Sequence, residues 1–252
     1  MLRKSSELQN VFISKSFLLT ENIWLFGLTA ELESAHLELV EKINGTGSAT
    51  IASILHKKGY RFIYMTGVHP LNSGSKVVGQ AVTLRYLPSR EDHLVPPKMR
   101  KSYAQQVALE KMGKGDVLVV DARGNIDAGI FGDLYITRIR NRGAAGVVTD
   151  GCLRDLPYLR TIDFPCFARS SHGHAHNTQH WAVDVNLPIS CGNVLVEPRD
   201  IIVGDDDGVV VIPRKIANEV IDVSSVQESK EEFLRGLLEQ GEAVQRFDVD
   251  PF

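Results

Sequence analysis

The chain has 252 residues, of which 43% are hydrophobic and 23% charged, and its formal net charge is −3. This length and composition are typical of a globular protein with a full hydrophobic core, built as one large domain or as a domain with appended ends. The nearly balanced charge gives no electrostatic reason for binding nucleic acid or an anionic membrane, so we expect neither as a partner.

Cysteine usage and the N-terminal region indicate the compartment. The chain contains three widely spaced cysteines, Cys152, Cys166 and Cys191. Because none forms a CxxC pair, we expect buried free thiols and a reducing compartment rather than a disulfide framework. The apolar run over 11–28 is interrupted by Lys15, Glu21 and Asn22. It therefore suits neither a secretory signal nor a membrane span, and we expect a cytoplasmic protein.

The first half of the chain begins with helical patterns. Apolar residues recur at helical spacing over 31–43, and the next two residues, Asn and Gly, end the run. Ser48 or Thr50 is expected to cap a second short helix, which continues through Leu55 and ends at Gly59.

The middle of the chain alternates between continuous apolar runs and helical stretches. Strands are predicted over 76–87, 116–121, 145–149 and 165–168. Helices are predicted over 103–112, 134–142 and 156–162, with a proline-containing loop over 90–100. Buried strands that alternate with helices are typical of parallel βαβ units.

After about residue 170, short strands separated by Gly, Pro and Asp turns indicate a largely β layer. These strands are predicted over 183–187, 193–197, 200–203 and 209–212, and a charged amphipathic helix or helix pair over 214–246. We therefore divide the chain into an N-terminal extension (1–30), a central catalytic domain (31–220) and a C-terminal helical tail (221–252).

The segment 124–155 is where we expect the chemistry of this protein. In a parallel βαβ unit the loops after the strands 116–121 and 145–149 reach the same sheet edge, where ligands collect. A helix that begins near Gly132 would direct four free backbone N–H groups at this edge. They belong to Gly132, Asp133, Leu134 and Tyr135. Such amides and the helix dipole favour a carboxylate or a phosphate.

Arg154 and Asp155 follow the second of these strands. Neighbours on a regular strand point to opposite faces, so both can serve one site only on the turn that Gly151 begins. Arg154 could then hold a substrate carboxylate through two hydrogen bonds, and Asp155 could bind a hard cation such as Mg²⁺. The alternative is a surface ion pair in which Asp155 merely caps the following helix.

Several elements of the chain together carry a resemblance to one family. They are Gly124-Asn125, Gly132-Asp133, the sequence DGCLRD over 150–155, Phe164-Pro165, Cys191-Gly192 and the sequence GDDDGVVVIP over 204–213. They resemble the RraA-like family, which includes the class II 4-hydroxy-4-methyl-2-oxoglutarate/4-carboxy-4-hydroxy-2-oxoadipate aldolases and the regulator of ribonuclease E activity. The resemblance runs from about residue 31 to residue 220. It contains the aldolase signature, an aspartate followed after twenty residues by Arg-Asp, in Asp133, Arg154 and Asp155.

The resemblance implies an α/β fold of the β/β/α swivelling type, flanked by N- and C-terminal helices and assembled as a homotrimer or homohexamer with sites at subunit interfaces. It also implies a Mg²⁺- or Mn²⁺-dependent pyruvate aldolase, a lyase that often decarboxylates oxaloacetate as well. By position, Asp155 would be the metal ligand, largely through water. Arg154 and the backbone from Gly132 to Tyr135 would bind the pyruvyl group, and Asp133 would orient the catalytic water.

Two other functions are compatible with the same resemblance. One is a non-catalytic protein-binding regulator like the ribonuclease E inhibitor, and the other is a dedicated 2-oxo-acid decarboxylase.

The chain also departs from the family in three places. The acidic residue common three positions after the Arg-Asp pair is Tyr158, the usual Cys-Gly-Gly ends in Asn193, and the usual Pro-Gly-Asp contains Arg199. We expect these departures to concern the substrate rather than the handling of pyruvate.

Two further clusters have alternative interpretations. His172, His174 and His176 could share one face of a strand and bind a transition metal. We favour a polar loop at the mouth of the pocket, which could contact a distal carboxylate of the substrate.

The run of three aspartates over 205–207 lacks the Asp-x-Asp spacing and the distal Glu of a calcium-binding EF-hand loop, so we expect a turn between two strands. A lysine-based aldolase is disfavoured, since the strands over 117–168 contain no lysine.

Overall fold

The structure is a computed structural model, and it describes residue 38 and residues 40–91 and 103–243. The chain divides into two compact units, residues 1–41 and 42–252, and the fold presented below is that of the second. The extension expected over 1–30 and most of the loop expected over 90–100 lie outside the described residues. The domain boundaries therefore stay predictions.

The second unit contains thirteen strands and five α-helices among its described residues. In chain order the strands are β1 (His69–Pro70), β2 (Val77–Pro88), β3 (Asp116–Asp121), β4 (Gly129–Phe131), β5 (Gly146–Thr149), β6 (Cys152–Leu153), β7 (Cys166–Ala168), β8 (Ser170–Ser171), β9 (His180–Val185), β10 (Ile189–Cys191), β11 (Val194–Val196), β12 (Ile201–Asp205) and β13 (Gly208–Ile212). The helices are α1 (Ser48–Lys57), α2 (Tyr103–Lys111), α3 (Asp133–Asn141), α4 (Leu156–Leu159) and α5 (Ala217–Glu239). None of these helices combines the length and the apolar character that crossing a bilayer requires.

Eight strands form one sheet in the order β1-β7-β5-β3-β2-β12-β13, with β9 also paired to β2. The four strands β2, β3, β5 and β7 are parallel, as the alternating pattern predicted. The segment 64–70 brings the two edges of the sheet together, since Tyr64 bridges to Val210 of β13 while His69 and Pro70 pair with β7. The sheet therefore closes almost into a barrel, and the expected α/β fold is confirmed.

The short strands expected after residue 170 are present, and three of them, β9, β12 and β13, belong to the main sheet. β9 and β12 both pair antiparallel with β2, so they extend the main sheet, and only β10 and β11 form a hairpin of their own. The reason is the length of β2. Its first residues, 77–80, pair with β12 and its last residues, 84–88, pair with β9 along the same edge. Short strands far apart in the sequence are thereby joined by one long strand.

Both faces of the sheet are covered by hydrophobic residues. In β3, Leu118 and Val120 belong to the cluster that α2, α3 and α4 pack against, whereas Val117 and Val119 belong to the cluster on the other face, which includes the β10–β11 hairpin. Successive side chains of a strand point to opposite faces, so a strand covered on both sides must be apolar throughout. The three cysteines are free and buried, as expected.

The run of three aspartates forms the turn between β12 and β13, as predicted, with Asp205 opposite Gly208. The carboxylate of Asp205 also accepts hydrogen bonds from the backbone N–H and the hydroxyl of Ser48, each at 2.7 Å. The expected cap of α1 is thereby corrected. Ser48 is the first residue of the helix, the preceding Gly47 has no side chain to cap it, and the cap comes from Asp205 far along the chain.

Asp205→Ala is expected to lower the free energy of unfolding by about 1–3 kcal/mol, because it removes a helix cap and leaves a buried hydroxyl with one partner fewer. Urea denaturation measures this change. The matched control is Asp207→Ala, since Asp207 is exposed and donates to Asp205 only through its backbone N–H. Equal destabilisation by the two variants would contradict the capping role.

Two of the departures from the family motifs coincide with left-handed backbone. Asn193 has φ 65° and Arg199 has φ 73°, and both occupy places where the family usually has glycine. A non-glycine residue costs about 1–2 kcal/mol in this region, although asparagine tolerates it better than arginine does. Glycine would be unstrained at both positions.

Arg199→Gly is expected to leave the free energy of unfolding unchanged or to raise it by up to about 1 kcal/mol, because relief of strain outweighs or matches the entropy that glycine adds to the unfolded chain. Thermal or urea denaturation gives the comparison. The control is Arg160→Gly, at an exposed arginine with φ −73°, which should lower stability by about 1 kcal/mol. Similar losses in both variants would show that Arg199 is not strained.

Candidate functional site

The loops that leave three parallel strands of the main sheet pair with one another as a second, small sheet. β4 follows β3, β6 follows β5 and β8 follows β7, and the three short strands are parallel in the order β4-β6-β8. On the free side of β4, Ala175 forms a further parallel bridge with Gly129. The two loops were expected to face each other. Their pairing as a sheet was not predicted, since strands of two or three residues show no period.

The segments that leave this small sheet end at one cavity of about 230 Å³. Because the strands are parallel, residues 132–133 leave β4, residues 154–155 leave β6 and residues 176–177 follow Ala175, all at the same end. The lining consists of Gly129, Ile130, Gly132, Asp133, Leu134, Tyr135, Arg154, Asp155, Ala175, His176 and Asn177. All six residues predicted for the site are thus brought together, and two further polar residues, His176 and Asn177, join them.

Two glycines allow Arg154 and Asp155 to lie directly on the backbone of β4. A Cβ atom at Gly129 would lie 2.6 Å from the carbonyl oxygen of His172 and 2.8 Å from Cβ of Arg154. A Cβ atom at Gly132 would overlap Oδ2 of Asp155 and lie 3.1 Å from Nε of Arg154. Gly129 has no room for a side chain because the backbone of His172 is in the way, whereas a side chain at Gly132 would force the Arg-Asp pair to move.

Asp155 has a left-handed backbone with φ 60°. It occupies the N-cap position of α4, but its carboxylate makes no capping hydrogen bond to that helix. Its Oδ2 accepts instead from the backbone N–H of Asp133 at 3.3 Å and from Nε of Arg154 at 3.1 Å. The ion pair and the N-cap position of the alternative interpretation are therefore both present, but the carboxylate binds the N-terminus of α3 instead of capping α4.

The N-terminus of α3 has fewer free amides than the sequence suggested. The N–H of Asp133 donates to Asp155, and the N–H of Leu134 donates to Oδ1 of Asp133 at 2.7 Å. Within the described part of the chain, the N–H groups of Gly132 and Tyr135 make no hydrogen bond. The expectation of four free donors is thus reduced to two, because two carboxylates of the site itself occupy the others.

The three histidines after β8 do not gather as a metal site. Nδ1 of His172 accepts the backbone N–H of His174 at 3.1 Å, and the two rings meet edge-on at 4.9 Å. Of these histidines only His176 lines the cavity. No set of three histidine, cysteine, aspartate or glutamate side chains suited to a metal occurs among the residues that the structure describes. The transition-metal interpretation is therefore wrong, and a polar segment at the pocket is what the structure shows.

The His176 ring is held by a buried aromatic contact. It meets the ring of Tyr86 edge-on, with centroids 6.2 Å apart, and Tyr86 is fully buried. Burial lowers the pKa of His176 below its ordinary value, and the nearby charge of Arg154 lowers it further. The imidazole is therefore neutral at pH 7.

Asp150 opens the DGCLRD motif and supports the site, a role that the motif alone did not indicate. Its buried carboxylate accepts the backbone N–H groups of Ala122 at 2.7 Å, Gly124 at 3.0 Å and Gly192 at 3.4 Å. Burial raises its pKa in spite of these hydrogen bonds. Asp150 thereby joins the loop after β3 to the β10–β11 turn. The sequence feature that could have identified this role is the position of Asp150 directly after the buried strand β5.

Comparison with known proteins decides the family. The RraA-like family model, described as Aldolase/RraA, matches residues 48–211, which is more than half of the chain. The chain belongs to the RraA-like family. A relative from Halalkalibacterium halodurans, named "Putative 4-hydroxy-4-methyl-2-oxoglutarate aldolase", is 34% identical over 165 residues, covering 66% of this chain and 73% of the relative.

Solved structures agree with the RraA-like fold. The crystal structure of Streptomyces coelicolor RraAS2, an unusual member of the RNase ES inhibitor RraA protein family, is 37% identical and has a TM-score of 0.71. The match covers 79% of this chain and 96% of RraAS2. An uncharacterised protein from Pseudomonas syringae pv. tomato has a TM-score of 0.74 at 21% identity, with 83% and 92% of the two chains covered, and supports the fold alone. The expected RraA-like architecture is confirmed.

Proposed function

We propose that this RraA-like chain is a divalent-metal-dependent aldolase that cleaves a 4-hydroxy-2-oxo acid to pyruvate and a carbonyl product. The observation that carries the proposal is the meeting of Asp133, Arg154 and Asp155 at one cavity, on the loops of two parallel strands. The aldolase name of a relative that is 34% identical supports the same reaction class.

The donor atoms at Asp155 fit a water-rich cation such as Mg²⁺ or Mn²⁺. Its Oδ2 accepts two hydrogen bonds, whereas its Oδ1 accepts none from the described residues. Mg²⁺ usually keeps several waters and takes one or two protein carboxylates, which suits a single carboxylate in an open cavity. When bound, the cation would supply Lewis acidity, stabilising negative charge that develops on the 2-oxo group.

Arg154 and two backbone amides would bind the pyruvyl group. The guanidinium lies at the cavity with 36% of its side chain exposed, so a substrate carboxylate can reach it. Its positive charge contributes more as the enolate forms than in the bound substrate, and this difference lowers the barrier. The N–H groups of Gly132 and Tyr135 add two donors that no group of the described chain uses.

Asp133 would order the water that moves the proton. One of its oxygens accepts from Leu134, and no hydrogen bond from the described residues reaches the other. A water held there takes the proton of the C4 hydroxyl as that oxygen becomes a carbonyl. The C3–C4 bond breaks, and its electron pair forms the pyruvate enolate, which then receives a proton at C3. Positioned proton transfer of this kind contributes about 10²–10⁴-fold to the rate.

The test is a coupled pyruvate-release assay over a panel of 4-hydroxy-2-oxo acids and oxaloacetate, with Mg²⁺ and with EDTA. Pyruvate release that EDTA abolishes and added Mg²⁺ or Mn²⁺ restores is the expected result. A folded protein that releases no pyruvate from any of them would favour the protein-binding regulator, the alternative that the likeness to RraAS2 supports. Turnover of oxaloacetate alone would favour a dedicated decarboxylase. Assembly as a homotrimer or homohexamer and a cytoplasmic location stay predictions.

A further inference from the structure

The cavity has two flanks, one on either side of β4. Arg154 and Asp155 leave β6 on one flank, and His176 and Asn177 follow Ala175 on the other, with Asp133 between them. The second flank is held in place by the parallel bridge between Gly129 and Ala175 and by the hydrogen bond from Gly129 N–H to the His174 carbonyl oxygen at 2.8 Å. A substrate whose pyruvyl group lies at Arg154 and Asp155 therefore has the flank of His176 and Asn177 for its other end.

His176 and Asn177 have unused hydrogen-bonding capacity at this flank. Neither the imidazole of His176 nor the amide of Asn177 takes part in a hydrogen bond with the described residues, although both line the cavity. The backbone around them is fixed, since residues 176–178 form a 3₁₀ turn in which the Thr178 hydroxyl donates to the Ala175 carbonyl oxygen at 2.9 Å. The two side chains are therefore placed to bind polar groups of a ligand.

The charges of the lining favour a substrate with one carboxylate. Arg154 is the single cationic side chain among the described lining residues, which also include two carboxylates, Asp155, with which it forms an ion pair, and Asp133. With a divalent cation the site carries one net positive charge, which the carboxylate of a 2-oxo acid balances. A second carboxylate beside His176 would find no cationic side chain of its own among the described lining residues, because Arg154 is already paired with Asp155 and would bind the first carboxylate.

We infer that the substrate carries an uncharged, hydroxyl-bearing end beyond C4, as 2-oxo-3-deoxy sugar acids do, and that His176 and Asn177 select it. A neutral imidazole and an amide each offer a donor and an acceptor, which match a hydroxyl group better than a carboxylate. This inference rests on the proposed function and narrows it to a substrate class. It departs from the dicarboxylic substrate in the name of the Halalkalibacterium relative.

Binding of two uncleavable analogues tests the inference without turnover. 5-Hydroxy-2-oxopentanoate ends in a hydroxyl and 2-oxoglutarate in a carboxylate, and neither has the C4 hydroxyl that cleavage requires. Isothermal titration of the Mg²⁺-loaded protein should give a Kd for the hydroxyl analogue about 3- to 10-fold below that for 2-oxoglutarate. His176→Arg should reverse the preference, because it adds a cation at that flank. A wild-type preference for 2-oxoglutarate, or an unchanged ratio in the variant, would overturn the inference.

Kinetics separate this inference from the proposed function. His176→Ala should lower kcat/KM for a 2-oxo-3-deoxy sugar acid about tenfold, mainly by raising KM. The kcat/KM for decarboxylation of oxaloacetate should change by less than about threefold. In that reaction C4 leaves as carbon dioxide, so oxaloacetate has no group beyond C4 for His176 to bind. His176→Gln should restore part of the loss, and His174→Ala, a neighbour outside the cavity, is the control. Equal losses of kcat/KM on both substrates would refute this inference but not the proposed function. If the protein releases pyruvate from none of the substrates, the proposed function itself is refuted.

Discussion

Asp155→Asn is expected to lower kcat/KM for pyruvate release by at least about 10²-fold while the protein stays folded. Asparagine keeps the size of the side chain, tolerates the left-handed backbone at φ 60° and can still accept from the N–H of Asp133. It removes the negative charge that a hard cation needs. Loss of residues that only support metal ligands already costs 10–100-fold, so loss of the ligand itself should cost more.

The matched control is Asp163→Asn, at an exposed aspartate outside the cavity, which should behave as wild type. Circular dichroism and the melting temperature confirm folding, and calorimetric titration with Mn²⁺ should show weakened metal binding in Asp155→Asn alone.

Arg154→Ala should give a comparable loss of turnover with metal binding retained, because Arg154 binds substrate rather than cation. Wild-type kinetics in either site variant would refute the assigned roles.

Gly132→Ala is expected to lower kcat/KM by about 10²-fold with little change in stability. The added methyl group would overlap Oδ2 of Asp155 and crowd Nε of Arg154, so both groups must move. A displacement of about 1 Å in a reacting group can cost 10²-fold. The backbone at Gly132 has φ −119°, which alanine adopts freely, and the Asp155 side chain is 35% exposed and can turn away.

Gly173→Ala is the control for this prediction, since Gly173 lies in the neighbouring segment and no atom would come within 4 Å of its added Cβ. Steady-state kinetics and thermal denaturation of both variants separate a local displacement from general destabilisation. If Gly132→Ala retains full activity, the close approach of the Arg-Asp pair to β4 is not required for turnover. If it loses stability and activity together, the effect is structural.

The left-handed backbone of Asp155 explains how two neighbours serve one cavity. A residue in this conformation costs about 1–3 kcal/mol, and such strain persists only where the surroundings stabilise it. Here the carbonyl oxygen of Asp155 accepts the N–H groups of Tyr158 at 3.0 Å and Leu159 at 3.1 Å, which begin α4. The turn breaks the alternation of β6 and brings Nε of Arg154 onto the carboxylate of Asp155.

Several features of the fold were predictable because local patterns carry them. Strand β3 was predicted over its observed residues 116–121, since a strand covered on both faces reads as a continuous apolar run. The helix predicted over 134–142 is observed as Asp133–Asn141, and the turn of aspartates connects β12 and β13. Family membership followed from motif spacing, which needs no knowledge of the tertiary structure.

The sequence by itself determined the parallel core, the family and the meeting of the two loops that bear Asp133 and the Arg-Asp pair. Only the tertiary structure decided which groups complete the cavity. It placed His176 in the same cavity as Asp133, paired two of the four helix amides with carboxylates, and capped α1 with Asp205. Periodicity and motif spacing are properties of neighbouring residues, whereas these contacts join segments that are distant in the chain or strands too short to show a period. They form only once the nearly closed sheet brings its loops together at one edge.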